Sequence, residues 1–162
     1  MGVKRRARHW LVKSEPGSFS FDDLLASEER TTVWDGVRNY QARNYMRDGM
    51  RVGDRVIFYH SQIREPAAVG LAEVASEAYP DPTQFDPRSR YFDPKASSEQ
   101  PRWFTVDLRA LQHLPRAVTL AEMKADPALS GLDVVQRGSR LSVMPVSAAE
   151  FRHLMRLAGA DP

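Results

Sequence analysis

The apolar residues of this chain fall into short runs, each of which ends at a turn residue or a helix-start signal. Residues 9–13, 56–59 and 102–111 are rich in branched and aromatic side chains, a composition typical of strands. Ser20 and Ser147 each precede an acidic residue by three positions, which is the capping-box spacing that opens a helix. Short strands interleaved with short helices predict an α+β fold built on a small, mostly antiparallel barrel.

The boundaries of the other predicted elements follow from turn residues and from periodicity. Residues 39–50 are expected to form a helix, because apolar positions recur along them at helical spacing. Residues 67–79 and 140–143 are predicted strands, and Pro145 is expected to stop the second of them because proline lacks the N–H that a sheet requires.

The length of 162 residues is typical of a single domain. Residues 80–101 contain five prolines, so we expect an irregular excursion there. A loop of this length in a compact domain is usually functional or tied down. The chain contains no repeat and no linker, which predicts one domain over residues 9–159 after a basic, disordered tail at residues 1–8.

Two absences limit the compartment and the chemistry. No apolar run approaches the ~20 residues that a membrane-spanning helix needs, and the basic N-terminus lacks the apolar stretch of a secretory signal. The sequence contains no cysteine, which excludes disulfides and thiolate chemistry. We therefore expect a cytoplasmic protein without a membrane partner.

Signals of catalysis are weak. The four histidines are widely separated and lack metal-ligand spacing, and the common phosphate-binding and nucleophile motifs are absent. His60 and Ser61 are adjacent on a predicted strand, where neighbouring side chains point to opposite faces. The sequence therefore predicts no catalytic residue, no metal site and no cofactor.

Signals of base recognition are stronger and centre on Trp34. A flipped or single-stranded base needs an aromatic surface to stack on and polar groups for its edge. Amide and guanidinium side chains surround Trp34 in the sequence, and these groups read base edges and phosphates. Two interpretations remain open, because Trp34 is equally compatible with a core position and Asn39 with a helix N-cap.

The motifs of this chain resemble those of the EVE domain family. The matching runs are W-L-V-K-S-E-P at 10–16, W-D-G-V-R-N-Y-Q-A-R-N at 34–44, G-D-R-V-I-F-Y-H-S at 53–61 and R-L-S-V-M-P-V at 140–146. The resemblance implies a PUA-like fold, which is a twisted, mostly antiparallel β-barrel with surrounding short helices. It also implies kinship with YTH and ASCH domains and binding of a modified base in RNA or DNA.

The resemblance further implies a set of base-contacting residues with distinct roles. Trp34 would stack on the base, while Asn39 and Ser14 would hydrogen-bond its Watson–Crick edge. Arg43, Arg47 and the N-terminal basic residues would contact phosphates. Arg140 and Ser142 are further expected neighbours of the pocket. The complete set of expected base-contacting residues is Lys13, Ser14, Glu15, Pro16, Trp34, Val37, Arg38, Asn39, Tyr59, His60 and Ser61.

Two alternative functions remain beside a non-enzymatic reader of a modified base. One is a nucleoside-processing or amide-processing enzyme of ASCH type that uses Lys13, Glu15 and His60. The other is a small-ligand sensor or a protein-interaction module, whose binding would not show the salt dependence that phosphate contacts impose. The sequence leaves the modification, the choice between RNA and DNA, and the oligomeric state open.

Overall fold

A computed structural model describes residues 7–161 of the chain. The strands are β1 His9–Ser14, β2 Thr31–Val33, β3 Arg55–His60, β4 Ala67–Val74, β5 Tyr79–Pro80, β6 Phe104–Thr105, β7 Asp107–Thr119 and β8 Val143–Val146. The α-helices are α1 Phe21–Ala26, α2 Tyr40–Asn44, α3 Leu120–Lys124 and α4 Ala148–Ala158. A π-helical turn at Tyr45–Gly49 continues α2, and 3₁₀ turns lie at Glu28–Arg30, Pro82–Phe85, Pro127–Leu129 and Asp133–Val135.

Six strands form one mixed sheet in the order β2-β7-β4-β3-β1-β8, and β5 pairs with β6 separately. The pair β1–β3 is parallel, whereas the other pairs in the described chain are antiparallel. The sheet curls into a half-barrel with β2 and β8 at its edges. The predicted α+β, mostly antiparallel, PUA-like architecture is thus confirmed, with an open barrel rather than a closed one.

Alternating side chains of the central strands build a separate core on each face of the sheet. Leu11 and Ile57 point to one face, where they belong to the cluster that includes Phe151 of α4. Trp10 and Phe58 point to the other face, into the cluster that includes α1 and the segment before α2. The second core is the one that supports the candidate site.

Two predicted boundaries in the first half of the chain are corrected by the structure. The strand predicted over 67–79 ends at Val74, because its partner β7 begins at Asp107, whose carbonyl accepts the Ala75 N–H. The helix predicted over 39–50 becomes π-helical after Asn44. This wider turn brings Gly49 against Trp10, where an added Cβ would lie 2.7 Å from a ring carbon.

The last strand and the long strand also differ from the prediction. β8 begins at Val143 and contains Pro145 instead of ending before it. An edge strand tolerates proline, because one side of its backbone needs no hydrogen-bond partner. The strand predicted over 102–111 is interrupted at Val106 and then extends to Thr119, because β7 pairs along the whole length of β4.

The predicted helix starts are confirmed at both termini of the fold. The hydroxyls of Ser20 and Ser147 each accept the backbone N–H of the acidic residue three positions later. The carboxylate of that acidic residue in turn accepts the backbone N–H of the serine. Residues 1–6 of the predicted tail lie outside the described residues, whereas the Arg8 N–H bonds to Asp54 at 3.0 Å. Within residues 7–161, no helix has the length and apolarity to span a membrane.

The proline-rich excursion at 80–101 is irregular, as predicted, and is fixed by buried polar contacts. The Gln84 side chain is fully buried, and its amide donates to the Trp103 carbonyl at 2.7 Å while accepting the Trp103 N–H at 2.9 Å. The Trp103 indole N–H donates to Asp93 at 2.8 Å. These contacts hold the segment against the second core and determine where it meets the site.

Candidate nucleic-acid interface

A cavity of about 740 Å³ lies where the end of β1, residues 32–39 and residues 90–91 meet. Its volume is within the range of small-molecule pockets. Most of the predicted base-contacting residues line it, namely Lys13, Ser14, Glu15, Trp34, Val37, Arg38 and Asn39. Ser142, a further expected neighbour of the pocket, lines it as well.

Trp34 is both a wall of the cavity and a member of the core. Its side chain lines the cavity but is only 9% exposed. Its ring packs edge-on against Phe58, with the centroids 5.5 Å apart, and against Phe19 at 6.4 Å. The core interpretation of Trp34 is therefore confirmed, its contact with a base stays a prediction, and the exposed part of the ring is fixed by the buried part.

Asn39 and Ser14 present opposite hydrogen-bonding groups to the cavity. The Asn39 carbonyl oxygen caps α2 by accepting the Ala42 N–H at 2.9 Å, and its NH₂ group has no partner in the described chain. The Ser14 hydroxyl donates to the Phe19 carbonyl, so its oxygen can only accept a further bond. Asn39 thus offers a donor, and Ser14 offers an acceptor.

Arg38 lines the cavity, but its guanidinium is used within the protein. A guanidinium has five N–H donors. Two of them donate to the Tyr91 carbonyl at 2.7 and 3.2 Å. The others reach the Asp81 carboxylate at 3.1 Å, the Thr83 hydroxyl at 3.1 Å and the Val37 carbonyl at 2.9 Å. These bonds hold the cavity wall, and the expected contact of Arg38 with a base stays a prediction.

The carboxylate beneath Arg38 organises the same wall. Asp81 is 1% exposed and accepts the Gly36 N–H and the Thr83 N–H, each at 2.8 Å. Burial alone would raise the pKa of Asp81, but hydrogen bonds from Thr83, Gly36 and Arg38 outweigh it and hold the pKa below its usual value. Gly36 has φ +81° and lies against the Tyr91 ring. A Cβ added at Gly36 would lie 2.5 Å from a carbon of that ring, so only glycine fits there.

Sequence reasoning missed half of the lining residues, which are Ser18, Phe19, Thr32, Val33, Asp35, Gly36, Arg90 and Tyr91. Arg90 and Tyr91 belong to the proline-rich excursion, which the sequence identified as functional or tied down without indicating its position. Their signal was an aromatic pair beside two arginines in an otherwise polar loop. Asp35 directly follows Trp34 in the sequence, and this adjacency was the signal that could have placed Asp35 in the cavity.

The third motif supports the cavity instead of lining it, which corrects the expected pocket. Tyr59 points into the first core, away from the cavity, and burial raises its pKa to about 12. His60 accepts the N–H of Phe21, the first residue of α1, at 3.1 Å. The Ser61 N–H donates to the Ser14 carbonyl at 2.9 Å. Pro16 and Arg140 also lie outside the cavity lining.

His60 gives α1 a pH dependence that can be measured. Desolvation lowers its pKa, and His113 adds to this effect while Asp22 opposes it. Because the native state disfavours protonation, stability is full above the unfolded pKa of about 6.5 and falls as the pH drops through it. We expect His60→Gln, which retains an acceptor, to lose less unfolding free energy than the wild type between pH 7.5 and 5. Urea unfolding at both pH values measures this, and parallel losses would contradict it.

The two arginines expected to contact phosphates lie on and after α2, outside the cavity lining. Arg43 donates to the Arg102 carbonyl at 2.7 Å and lies 4.7 Å above the Tyr40 ring. Arg47 pairs with Asp48 at 2.9 Å. Both guanidiniums therefore already have partners within the protein. Over residues 7–161, no group of three or more acidic or histidine side chains is arranged to hold a metal ion.

Comparisons with known proteins agree with this geometry. The family model described as EVE domain matches residues 8–157. Human thymocyte nuclear protein 1 is 39% identical over 176 residues, covering 99% of this chain and 78% of the relative. A crystal structure of that human protein in complex with 5-methylcytosine-containing DNA has a TM-score of 0.89 at 38% identity, covering 96% and 100% of the two chains.

A more distant structure shares the fold. The YTH domain of Zygosaccharomyces rouxii MRB1, solved with N6-methyladenosine RNA, has a TM-score of 0.53 at 13% identity, covering 98% of this chain and 90% of that one. This likeness concerns the fold alone. The family match over residues 8–157 and the human relative together establish that this chain belongs to the EVE domain family.

Proposed function

We propose that this chain binds nucleic acid and holds one modified base in the cavity beside Trp34. The observation that carries the proposal is the cavity itself, where an aromatic wall meets polar groups that have unused hydrogen-bonding capacity. The human relative, solved with 5-methylcytosine-containing DNA, supports a base-reading role for the same fold. A cavity of about 740 Å³ has room for a single extruded base.

Three aromatic side chains line the cavity, those of Phe19, Trp34 and Tyr91. Trp34 forms one wall, and Tyr91 from the 80–101 excursion also lines the space. A base stacked on such a side chain gains about 1–3 kcal/mol. A methyl group that fills apolar volume beside Trp34 adds about 0.8 kcal/mol, which is enough to favour a methylated base several-fold.

Phosphate contacts supply the sequence-independent part of the affinity. Arg90 is exposed at the cavity and has no carboxylate partner in the described chain, while its guanidinium lies 4.9 Å above the Tyr91 ring. This makes it a candidate to contact the backbone of the bound nucleotide. Arg43 and Arg47 are proposed to contact phosphates further along the strand, at the cost of exchanging their present partners.

Replacing Arg90 with alanine is expected to weaken binding to oligonucleotides of all sequences by the same factor. The slope of log affinity against log salt concentration should become shallower by about one, because one phosphate contact is lost. Fluorescence anisotropy at several salt concentrations measures this slope. Arg116→Ala is the charge-matched control, since Arg116 pairs with Glu122 and does not line the cavity. A loss confined to one base would show instead that Arg90 reads a base edge.

The proposed role is binding without turnover. The Ser14 hydroxyl hydrogen is bonded to the Phe19 carbonyl, and His60 lies outside the cavity lining, so neither is placed as nucleophile or base. The ASCH-type alternative needs Lys13, Glu15 and His60 at one centre. Incubating the protein with modified nucleosides and oligonucleotides and analysing them by mass spectrometry tests this, and an altered product would overturn binding alone.

The direct test of nucleic-acid binding uses single-stranded DNA and RNA oligonucleotides, each with one 5-methylcytosine or one unmodified cytosine. We expect anisotropy titrations to show tighter binding to a modified strand and weaker binding at higher salt. Salt-insensitive binding, or no binding by a folded protein, would contradict the proposal. It would favour the alternative of a small-ligand sensor or a protein-interaction module.

A further inference from the structure

The cavity contains a carboxylate that the protein leaves without a cationic partner. Asp35 lines the cavity, and its side chain bonds only to its own backbone N–H among the described residues. Arg38, the neighbouring cation, directs its donors to Asp81, Thr83 and two carbonyls. A carboxylate so placed gains from any hydrogen-bond donor that enters the cavity.

The backbone on both sides of Asp35 is held in place. The Trp34 N–H donates to the Val106 carbonyl at 2.9 Å, and the Trp34 ring is packed in the second core. The Gly36 N–H donates to Asp81 at 2.8 Å. Asp35 is therefore presented from a rigid segment, directly after the aromatic wall, which is the arrangement that gives selectivity in binding sites.

Burial also affects the carboxyl group of Asp35. Desolvation raises its pKa, the nearby Asp81 charge raises it further, and Arg38 opposes both. The charged form is thus less well stabilised than that of an ordinary surface aspartate. A donor from a bound ligand would supply the hydrogen bond that the protein does not provide.

The other polar groups of the cavity complete the pattern. The Ser14 oxygen is an acceptor, and the NH₂ group of Asn39 is a donor without a partner in the described chain. Lys13 adds a second donor, with no ion pair to a described residue. The cavity thus places a strong acceptor, Asp35, near donors that suit a ring nitrogen or a carbonyl oxygen.

Nucleobases differ in which of these patterns they match. Cytosine and adenine carry an amino donor next to a ring-nitrogen acceptor. Uracil, thymine and hypoxanthine carry an oxo acceptor next to a ring N–H. A carboxylate that faces the exocyclic group accepts from the amino group of the first type, whereas at the same position it meets a carbonyl lone pair in the second.

We propose that Asp35 selects the base by accepting a hydrogen bond from its exocyclic amino group, so that the cavity takes amino-bearing bases and rejects their oxo counterparts. This inference rests on the proposed function. 5-Methylcytosine belongs to the accepted class, because methylation at C5 leaves the amino group intact. The cavity excludes thymine for its oxo edge, although thymine carries the same methyl group.

The test uses two isosteric pairs of bases, cytosine with uracil and adenine with hypoxanthine, each at one position of the same single strand. We expect the wild type to bind the amino-bearing member of at least one pair about tenfold more tightly. Asp35→Asn, which replaces one acceptor with a donor, should abolish or invert that preference. Glu65→Gln makes the same charge change at an exposed residue outside the cavity lining and should preserve it.

The outcomes separate this inference from the proposed function. If the wild type discriminates between bases but Asp35→Asn keeps the same preference, or Glu65→Gln inverts it, the inference is wrong and base reading stands. The inference is also wrong, and base reading stands, if the wild type binds the oxo-bearing base of each pair more tightly. If the folded wild type binds all four strands alike, the inference fails while nucleic-acid binding stands, and the comparison of 5-methylcytosine with cytosine decides the proposed function. If it binds no strand, both the inference and the proposed function fail. Thermal unfolding of each variant confirms that it is folded.

Discussion

Replacing Arg38 with methionine is expected to lower the free energy of unfolding by about 3 kcal/mol and to abolish selective binding to a modified strand. Methionine keeps much of the side-chain volume, but it removes the four guanidinium hydrogen bonds that join Arg38 to the excursion at 81–91 and leaves only the Gly36 N–H bond to Asp81. It also leaves the buried Asp81 charge without its cation. Urea unfolding and anisotropy on the same preparation measure the two effects.

A matched arginine distinguishes this effect from a general loss of positive charge. Arg47 pairs with Asp48 at the surface, so Arg47→Met should change stability little. If Arg38→Met leaves stability unchanged and still abolishes binding, Arg38 contacts the ligand directly. The assignment of its donors to the cavity wall would then be wrong.

Replacing Trp34 with alanine is expected to reduce both stability and affinity. The sequence alone predicts a loss of affinity in a folded protein, but the structure adds the packing of the ring against Phe58 and Phe19. Removing a buried tryptophan costs about 3–5 kcal/mol of stability, and losing the stacking surface costs about 1–3 kcal/mol of binding. Urea unfolding and anisotropy separate the two losses.

Trp34→Phe keeps the test informative if the alanine variant does not fold. Phenylalanine retains an aromatic ring for the core but offers a smaller surface to a base. We expect it to be nearly as stable as the wild type and to bind a modified strand several-fold more weakly. Wild-type affinity in both folded variants would mean that the base does not lie against Trp34.

The sequence predicts the elements of this fold well because local signals determine them. The Ser20 and Ser147 caps, the strand at the N-terminus and the last helix all depend on residues within a few positions. Boundaries that depend on a distant strand were predicted poorly. β7 reaches Thr119 because β4 lies beside it, and Pro145 is tolerated because β8 is at an edge.

The candidate site shows the same division. Residues of the first two motifs do meet around one cavity, since each motif follows or precedes a strand of the same sheet. The sequence did not indicate that the Arg38 guanidinium would bond within the protein, because its partner Asp81 is distant along the chain. Nor did it place Tyr91, which reaches the cavity only through the fixed course of the excursion.

Tyr59 illustrates a limit of transferring a motif as a block. The run at 53–61 resembles the family, yet strand alternation sends Tyr59 and Phe58 to opposite faces of the sheet. Phe58 supports the Trp34 ring at 5.5 Å, so this motif contributes to the site through packing. The resemblance had implied instead that residues of this motif contact the base.

The indole N–H signals of the three tryptophans test the central claim most directly. Trp10 and Trp103 donate to Asp54 at 3.0 Å and Asp93 at 2.8 Å, whereas the Trp34 indole N–H has no partner in the described chain and Trp34 lines the cavity. In a ¹H–¹⁵N spectrum, with assignment by Trp34→Phe, a 5-methylcytosine strand should shift the Trp34 signal and leave that of Trp10 in place. Binding that leaves the Trp34 signal unchanged would contradict a base in this cavity.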